Sequence, residues 1–180
     1  YCKPTGENIN PNLKGTINFE NLKKIIKVAY KLGITTFRIT GGEPTMVEYL
    51  PSLIKYIMNL STNTRIRLNT NGYKLNENEL LDIIQDYKDR IDVHYPKYLS
   101  NEIKEVTREL IKRNVQTRFN IVVTKQNIQE MEGLIAKSLS LGVNIKILDL
   151  IIRDEYFGTD DRLTGQEAIK FGKKSYISLE

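Results

Sequence analysis

Five consecutive residues, Thr40-Gly41-Gly42-Glu43-Pro44, carry the densest chemical signal in the chain. Two adjacent glycines let backbone approach a ligand with no Cβ in the way. Glu43 adds a carboxylate, and Pro44 stiffens the chain beyond it. An edge of bare N–H and C=O groups suits the charged amino and carboxylate ends of an amino-acid ligand. Arg38 precedes this string on the same segment and is a candidate substrate contact. A second set lies in the run from Gln116 to Thr124. There Arg118, Asn120 and Val122 alternate with Thr117, Phe119, Ile121 and Val123, so a strand would have one polar and one apolar face. An arginine on a covered face needs a partner, and a bound anion would serve. Lys146 shares the period-two pattern of Leu148 and Leu150. Asn71-Gly72 is a turn dipeptide following Thr70. His94 is the only histidine and is expected to end a strand; Cys2 is the only cysteine.

The elements that must position these residues alternate without a break. Phe19, Leu22, Ile25, Ile26 and Ala29 recur at helical spacing and stop before Gly33. Thr35 to Thr40 reads as a strand ending at the glycine pair. Leu50, Leu53, Ile54 and Ile57 mark a second helix, and Arg65 to Thr70 a second strand. Leu80 to Ile84 reads as a third helix, and Arg90 to His94 as a third strand. A fourth helix is expected from about Asn101 to Arg113 and a fourth strand over Gln116 to Thr124. A fifth helix covers Ile128 to Leu141, and Asn144 to Ile152 is the last strand. The tail from Asp154 reads as polar and irregular, with a short helix near Gln166 to Phe171. Strands joined by helices at this spacing predict a parallel sheet with right-handed crossovers. Alternation alone does not separate a doubly wound sheet from a barrel. The first unit has no GxGxxG turn, which weakens the dinucleotide-fold reading.

Composition narrows the class. The sequence has 180 residues, 40% of them hydrophobic and 27% charged, which is the profile of one globular domain. No apolar run reaches the roughly 20 residues of a membrane helix, and no secretory leader pattern is visible. A formal net charge of +5 mildly favours anionic partners. One cysteine excludes an internal disulfide and fits a reducing, cytoplasmic compartment. The opening Tyr1-Cys2, with no methionine, reads as a trimmed start.

The string Phe37-Arg38-Ile39-Thr40-Gly41-Gly42-Glu43-Pro44 resembles the GGEP motif of radical S-adenosylmethionine enzymes. Tyr1-Cys2-Lys3-Pro4 resembles the end of that family's CxxxCxYC cluster loop, and the likeness runs to about Leu150. Thr70-Asn71-Gly72-Tyr73 brings it closest to the GTP 3′,8-cyclase branch of molybdenum cofactor biosynthesis. The resemblance implies an α/β fold, a partial (β/α)6 TIM-like barrel with parallel strands, whose first strand and cluster loop are mostly missing here. Residues 1–152 would form the core and residues 153–180 an extension of it.

The same resemblance implies cofactors and roles. Three cysteines of the family hold a [4Fe-4S] cluster, and Cys2 would be the third of them. The reduced cluster cleaves S-adenosylmethionine to a 5′-deoxyadenosyl radical, which takes a hydrogen atom from substrate. Gly41, Gly42, Glu43, Pro44, Thr70, His94 and Asn120 would surround S-adenosylmethionine, with Arg38, Arg118 and Lys146 on the substrate. Two positions depart from the branch. His94 stands where a serine is usual, and Lys146 replaces the arginine of an IRFIE-like segment, a point charge in place of a fork. No C-terminal cysteines for a second cluster are present in this sequence. The expectation is a cyclase-like lyase acting on a nucleotide such as GTP and served by an electron-donor protein, with no membrane or nucleic-acid partner. A radical enzyme acting on a peptide or other small substrate is one alternative. A cluster-less barrel that binds an anion or a protein is another.

Overall fold

The computed structural model describes residues 17–77, 79–96, 101–149, 163–167 and 169–170. Cys2, the end of the expected last strand from Leu150, and most of the tail lie outside them. Helix α1 spans Phe19–Lys31. It starts there because Asn18 Oδ1 accepts from the backbone N–H of Glu20 at 2.9 Å and of Asn21 at 3.3 Å, satisfying donors that the first turn leaves unpaired. It ends at a glycine in the left-handed region, Gly33 with φ +89°. Strand β1 is Thr36–Ile39, and a 3₁₀ turn at Pro44–Met46 leads into α2, Leu50–Met58. Then follow β2 (Arg65–Asn69), α3 (Leu80–Asp86), β3 (Ile91–Pro96), α4 (Asn101–Lys112) and β4 (Gln116–Val123). A second 3₁₀ turn, Ile128–Glu130, precedes α5 (Met131–Ser140) and β5 (Asn144–Asp149).

Each of the five strands and five helices lies where the periodicity puts it, and the differences are at the edges. The fifth helix begins at Met131 and not at Ile128. Asn127 closes the end of β4 instead, its Nδ2 donating to Val122 C=O at 2.9 Å and its Oδ1 accepting from Thr124 N–H at 2.9 Å. The third strand runs on through Tyr95 to Pro96, so His94 lies within it; the expectation that His94 ends the strand is corrected. A proline is tolerated at a strand end because only its own ladder donor is lost.

The strands form one parallel sheet in the order β1-β2-β3-β4-β5. Each crossover therefore steps in the same direction, with no reversal of order. A doubly wound sheet needs such a reversal at its switch point, so the ambiguity left by the sequence falls on the barrel side. One-way winding also places the crossover helices on one face. Ile66, Leu68, Ile91 and Val93 point to that face and have no exposed surface, as have Ile54 of α2 and Ile84 of α3. The alternating residues of β2, Arg65 and Arg67, are exposed on the other face.

The chain divides into two compact units, Thr5–Arg118 and Tyr1–Pro4 with Phe119–Glu180. The first holds β1 to β3 with α1 to α4. In the second, Phe119, Ile121 and Val123 of β4 and Met131 and Leu134 of α5 are buried. No helix among the described residues is long and apolar enough to cross a membrane.

Candidate functional site

Glu43 organises the loop after β1. Its side chain caps the 3₁₀ turn, with Oε1 accepting from Thr45 N–H at 3.0 Å and from Thr45 Oγ1 at 2.7 Å. The same oxygen accepts from Thr70 Oγ1 at 2.5 Å, and Oε2 accepts from Asn71 N–H at 2.6 Å. Thr70 Oγ1 in turn accepts from Gly72 N–H at 3.1 Å. One carboxylate thus ties the loop after β1 to the turn after β2, across 27 residues of chain. Its oxygens are engaged by these donors, so Glu43 positions the edge, and Oε2, with one donor, keeps acceptor capacity.

With Glu43 so engaged, the glycine pair is left open. Gly41 and Gly42 are exposed, and a Cβ built on either would meet nothing within 4 Å. Their backbone groups have no hydrogen-bond partner among the described residues. Gly41 has φ +141°, where a side chain would be strained. The loop forms one wall of a cavity of about 500 Å³ that also reaches Ile17, Met46 and Tyr49. The other wall is braced by the Tyr49 hydroxyl, which donates to Ile17 C=O at 2.6 Å, and by Phe19 stacked on Tyr49 with ring centroids 5.1 Å apart.

The helix-free face of the strands carries the charge. Parallel pairing sets Arg38 of β1, Arg67 of β2 and Asp92 of β3 in one row, and Asn69 beside His94 in the next residues along. Arg67 Nε lies 3.7 Å from Asp92 Oδ2. Among the described residues Arg38 and Arg118 have no ion pair. His94 is 4% exposed. Burial holds its imidazole below the usual histidine pKa, the nearby Arg118 guanidinium adds to that, Asp92 opposes it, and Arg67 and Arg38 reinforce it. The side-chain oxygens of Asn69 and Asn120 are buried without a partner. A buried unpaired carbonyl is costly, and a ligand donor would relieve it.

The sequence-derived candidates separate accordingly. Arg38, Gly41, Gly42, Glu43, Pro44, Thr70, His94 and Arg118 lie in the unit Thr5–Arg118, with Glu43 and Thr70 in direct contact. Asn120 and Lys146 belong to the other unit; Asn120 is half-buried and Lys146 exposed. Sequence reasoning missed Arg67, Asn69 and Asp92. The alternation applied to β4 would have found them on β2 and β3, where Ile66, Leu68, Ile91 and Val93 mark the opposite face.

The open Gly41-Gly42 edge fits the charged groups of an amino-acid-bearing cofactor; in the other unit, the orphaned Asn120 oxygen would accept from a ligand donor. For a cluster, the sequence offers one thiolate, Cys2, outside the described residues. The described residues hold no group of three His, Cys, Asp or Glu side chains able to grip a metal.

Residues 1–137 match the family model described as the Radical SAM superfamily. A probable GTP 3′,8-cyclase of Methanococcus aeolicus is 28% identical over 169 residues, which is 86% of this chain and 56% of the relative. Among solved structures, native anSMEcpe with bound AdoMet matches with a TM-score of 0.73 at 15% identity, over 93% of this chain and 53% of that one. The same protein has also been solved with AdoMet and a Cp18Cys peptide. TsrM of Kitasatospora setae, a radical S-adenosylmethionine methyltransferase with cobalamin and a [4Fe-4S] cluster bound, matches with a TM-score of 0.56 at 12% identity, over 76% of this chain and 32% of that one. The chain spans about half the length of the cyclase and of anSMEcpe. The family's cofactors are S-adenosylmethionine and a [4Fe-4S] cluster. By the match over its first 137 residues, the chain belongs to the radical S-adenosylmethionine superfamily.

Proposed function

We propose that this chain is the cofactor-binding core of a radical S-adenosylmethionine enzyme that acts on a nucleotide, a GTP 3′,8-cyclase-like lyase of molybdenum cofactor biosynthesis. The observation that carries the reading is the Glu43 anchor. It holds the loop shut on one side and leaves the Gly41-Gly42 backbone facing outward for the amino and carboxylate groups of the cofactor. Thr70 and Pro44 keep that edge in place, and Asn120 offers an acceptor to the adenosyl part. The cofactor pair, when bound, supplies a 5′-deoxyadenosyl radical, and Cys2 would contribute one thiolate to the cluster. Arg38 and Arg118, two guanidiniums without an ion pair among the described residues, and Lys146 of β5 would hold the substrate phosphates. Residues 1–152 form the core and 153–180 extend it. The enzyme works in the cytoplasm with an electron-donor protein.

The test uses the full-length protein, reconstituted anaerobically with iron and sulfide and reduced. Low-temperature electron paramagnetic resonance is recorded with and without S-adenosylmethionine. A cluster signal that changes on adding the cofactor supports the class, and failure to take up a cluster overturns it. Incubation with GTP then asks whether 5′-deoxyadenosine and a cyclised nucleotide form together. A peptide substrate is the second reading, favoured by the structural likeness to a protein solved with a bound peptide. Production of 5′-deoxyadenosine that is stimulated by peptides and not by GTP would select it.

A further inference from the structure

His94 is the one histidine of the sequence, and it is buried in mid-strand among cations. Arg38 of β1, Arg67 of β2 and Arg118 of β4 act on it electrostatically, and among the described residues Asp92 of its own strand is the carboxylate that opposes them. Asn69 is its register neighbour, with Oδ1 buried and unpartnered. His94, Arg38 and Arg118 make no side-chain hydrogen bond or ion pair among the described residues. Arg67 has only Asp92, at 3.7 Å, longer than a good hydrogen bond. Among the described residues, three guanidiniums against one carboxylate leave an excess of positive charge on a face whose reverse is apolar. Such a face concentrates anions.

We propose that Arg67 and His94 belong to the same anion site as Arg38 and Arg118, and that His94 takes up a proton as a phosphate group binds there. This rests on the reading that the face receives an anionic substrate, and it adds two residues and a proton to that reading. It also moves His94 from the cofactor to the substrate. In the free protein burial and the arginine field favour the neutral imidazole, outweighing the pull of Asp92. A bound anion cancels much of that field and accepts a hydrogen bond from the ring, so the charged form is stabilised. The proton comes from solvent onto the unprotonated ring nitrogen, and the ligand loses none. Asn69 Oδ1 then supplies an acceptor for the second ring N–H. Because the bound form has the higher midpoint, affinity rises as pH falls through the window between the two midpoints.

The protonation of His94 can be followed directly. The full-length protein, labelled with ¹⁵N-histidine, is titrated with pH by NMR alone, with inorganic tripolyphosphate and with GTP, and His94→Gln identifies the resonance. The expected result is a free midpoint below about 6.5 that moves upward when tripolyphosphate is bound. Arg67→Gln, a change at an exposed side chain, should raise the free midpoint and weaken tripolyphosphate binding roughly tenfold. Tripolyphosphate binding with an unmoved midpoint overturns the proton uptake, and unchanged affinity in Arg67→Gln removes Arg67 from the site. If tripolyphosphate binds and shifts His94 but GTP does not bind, the inference stands and the nucleotide reading falls. If neither anion binds, both fall.

Discussion

At the scale of the residue, Glu43 does by position what a ligand group would do by contact. Both of its oxygens are taken by donors from Thr45, Thr70 and Asn71. Glu43→Gln keeps the shape but turns an amide N–H₂ toward donors. It should cost about 1–3 kcal/mol, read as a lowered midpoint in urea unfolding. The same variant should weaken S-adenosylmethionine roughly tenfold by calorimetry, a loss of about 1.4 kcal/mol, because the glycine edge is no longer fixed. Full cofactor affinity in a destabilised variant would show that the edge stands without its anchor. The glycine string and Thr70 were legible as chemistry from residue types. That they are joined through one carboxylate was not, since 27 residues separate them and no local rule pairs them.

At the scale of the element, the turn after β2 is pinned against α4. Gly72 is buried with φ +87°, and a Cβ there would lie 2.9 Å from Ile103 Cδ1. Gly72→Ala should destabilise by about 1–3 kcal/mol, through left-handed strain and crowding, and thermal unfolding would read it. Strand β3 is fastened to the same helix. The Tyr95 hydroxyl is hydrogen-bonded to Thr107 Oγ1, which also donates to Ile103 C=O at 2.6 Å. Burial pushes the Tyr95 hydroxyl up to about 12, partly offset by its bond to Thr107. Removing that hydroxyl with Tyr95→Phe should cost about 1 kcal/mol, since Thr107 keeps its bond to Ile103. A loss near zero in chemical denaturation would mean the hydroxyl contact contributes nothing net. The apolar spacing of α4 and β3 was plain in sequence, but the run through Tyr95-Pro96 was not. A proline breaks the period that marks a strand, and only the backbone course of Ile91–Pro96 shows that the strand continues.

At the scale of the whole molecule, pH acts through His94. Its folded-state pKa is lowered, so on acidification the unfolded chain takes up a proton near 6.5 that the folded chain still refuses. Stability is therefore complete above 6.5 and falls as pH drops from there toward the folded value. Urea midpoints measured from pH 8 to 5 should decline on the acid side, and His94→Gln should flatten that part of the decline. A variant with the same slope as the parent would assign the loss to carboxylates instead. The one-way winding that exposes His94 to three arginines is also a whole-sheet property. Reversing strand order at any step would send a helix across that face and bury the charges.

The sequence by itself determined the elements and their alternation, because helix and strand periods are written locally in side-chain spacing. It also determined the family resemblance, because the Thr40-to-Pro44 string and Cys2 at its spacing are contiguous signals. Tertiary structure decided the winding direction, the Glu43 anchor and the row of Arg38, Arg67 and Asp92. These depend on register between strands that lie some 25 residues apart in the chain, and register arises from packing and pairing that no single segment encodes.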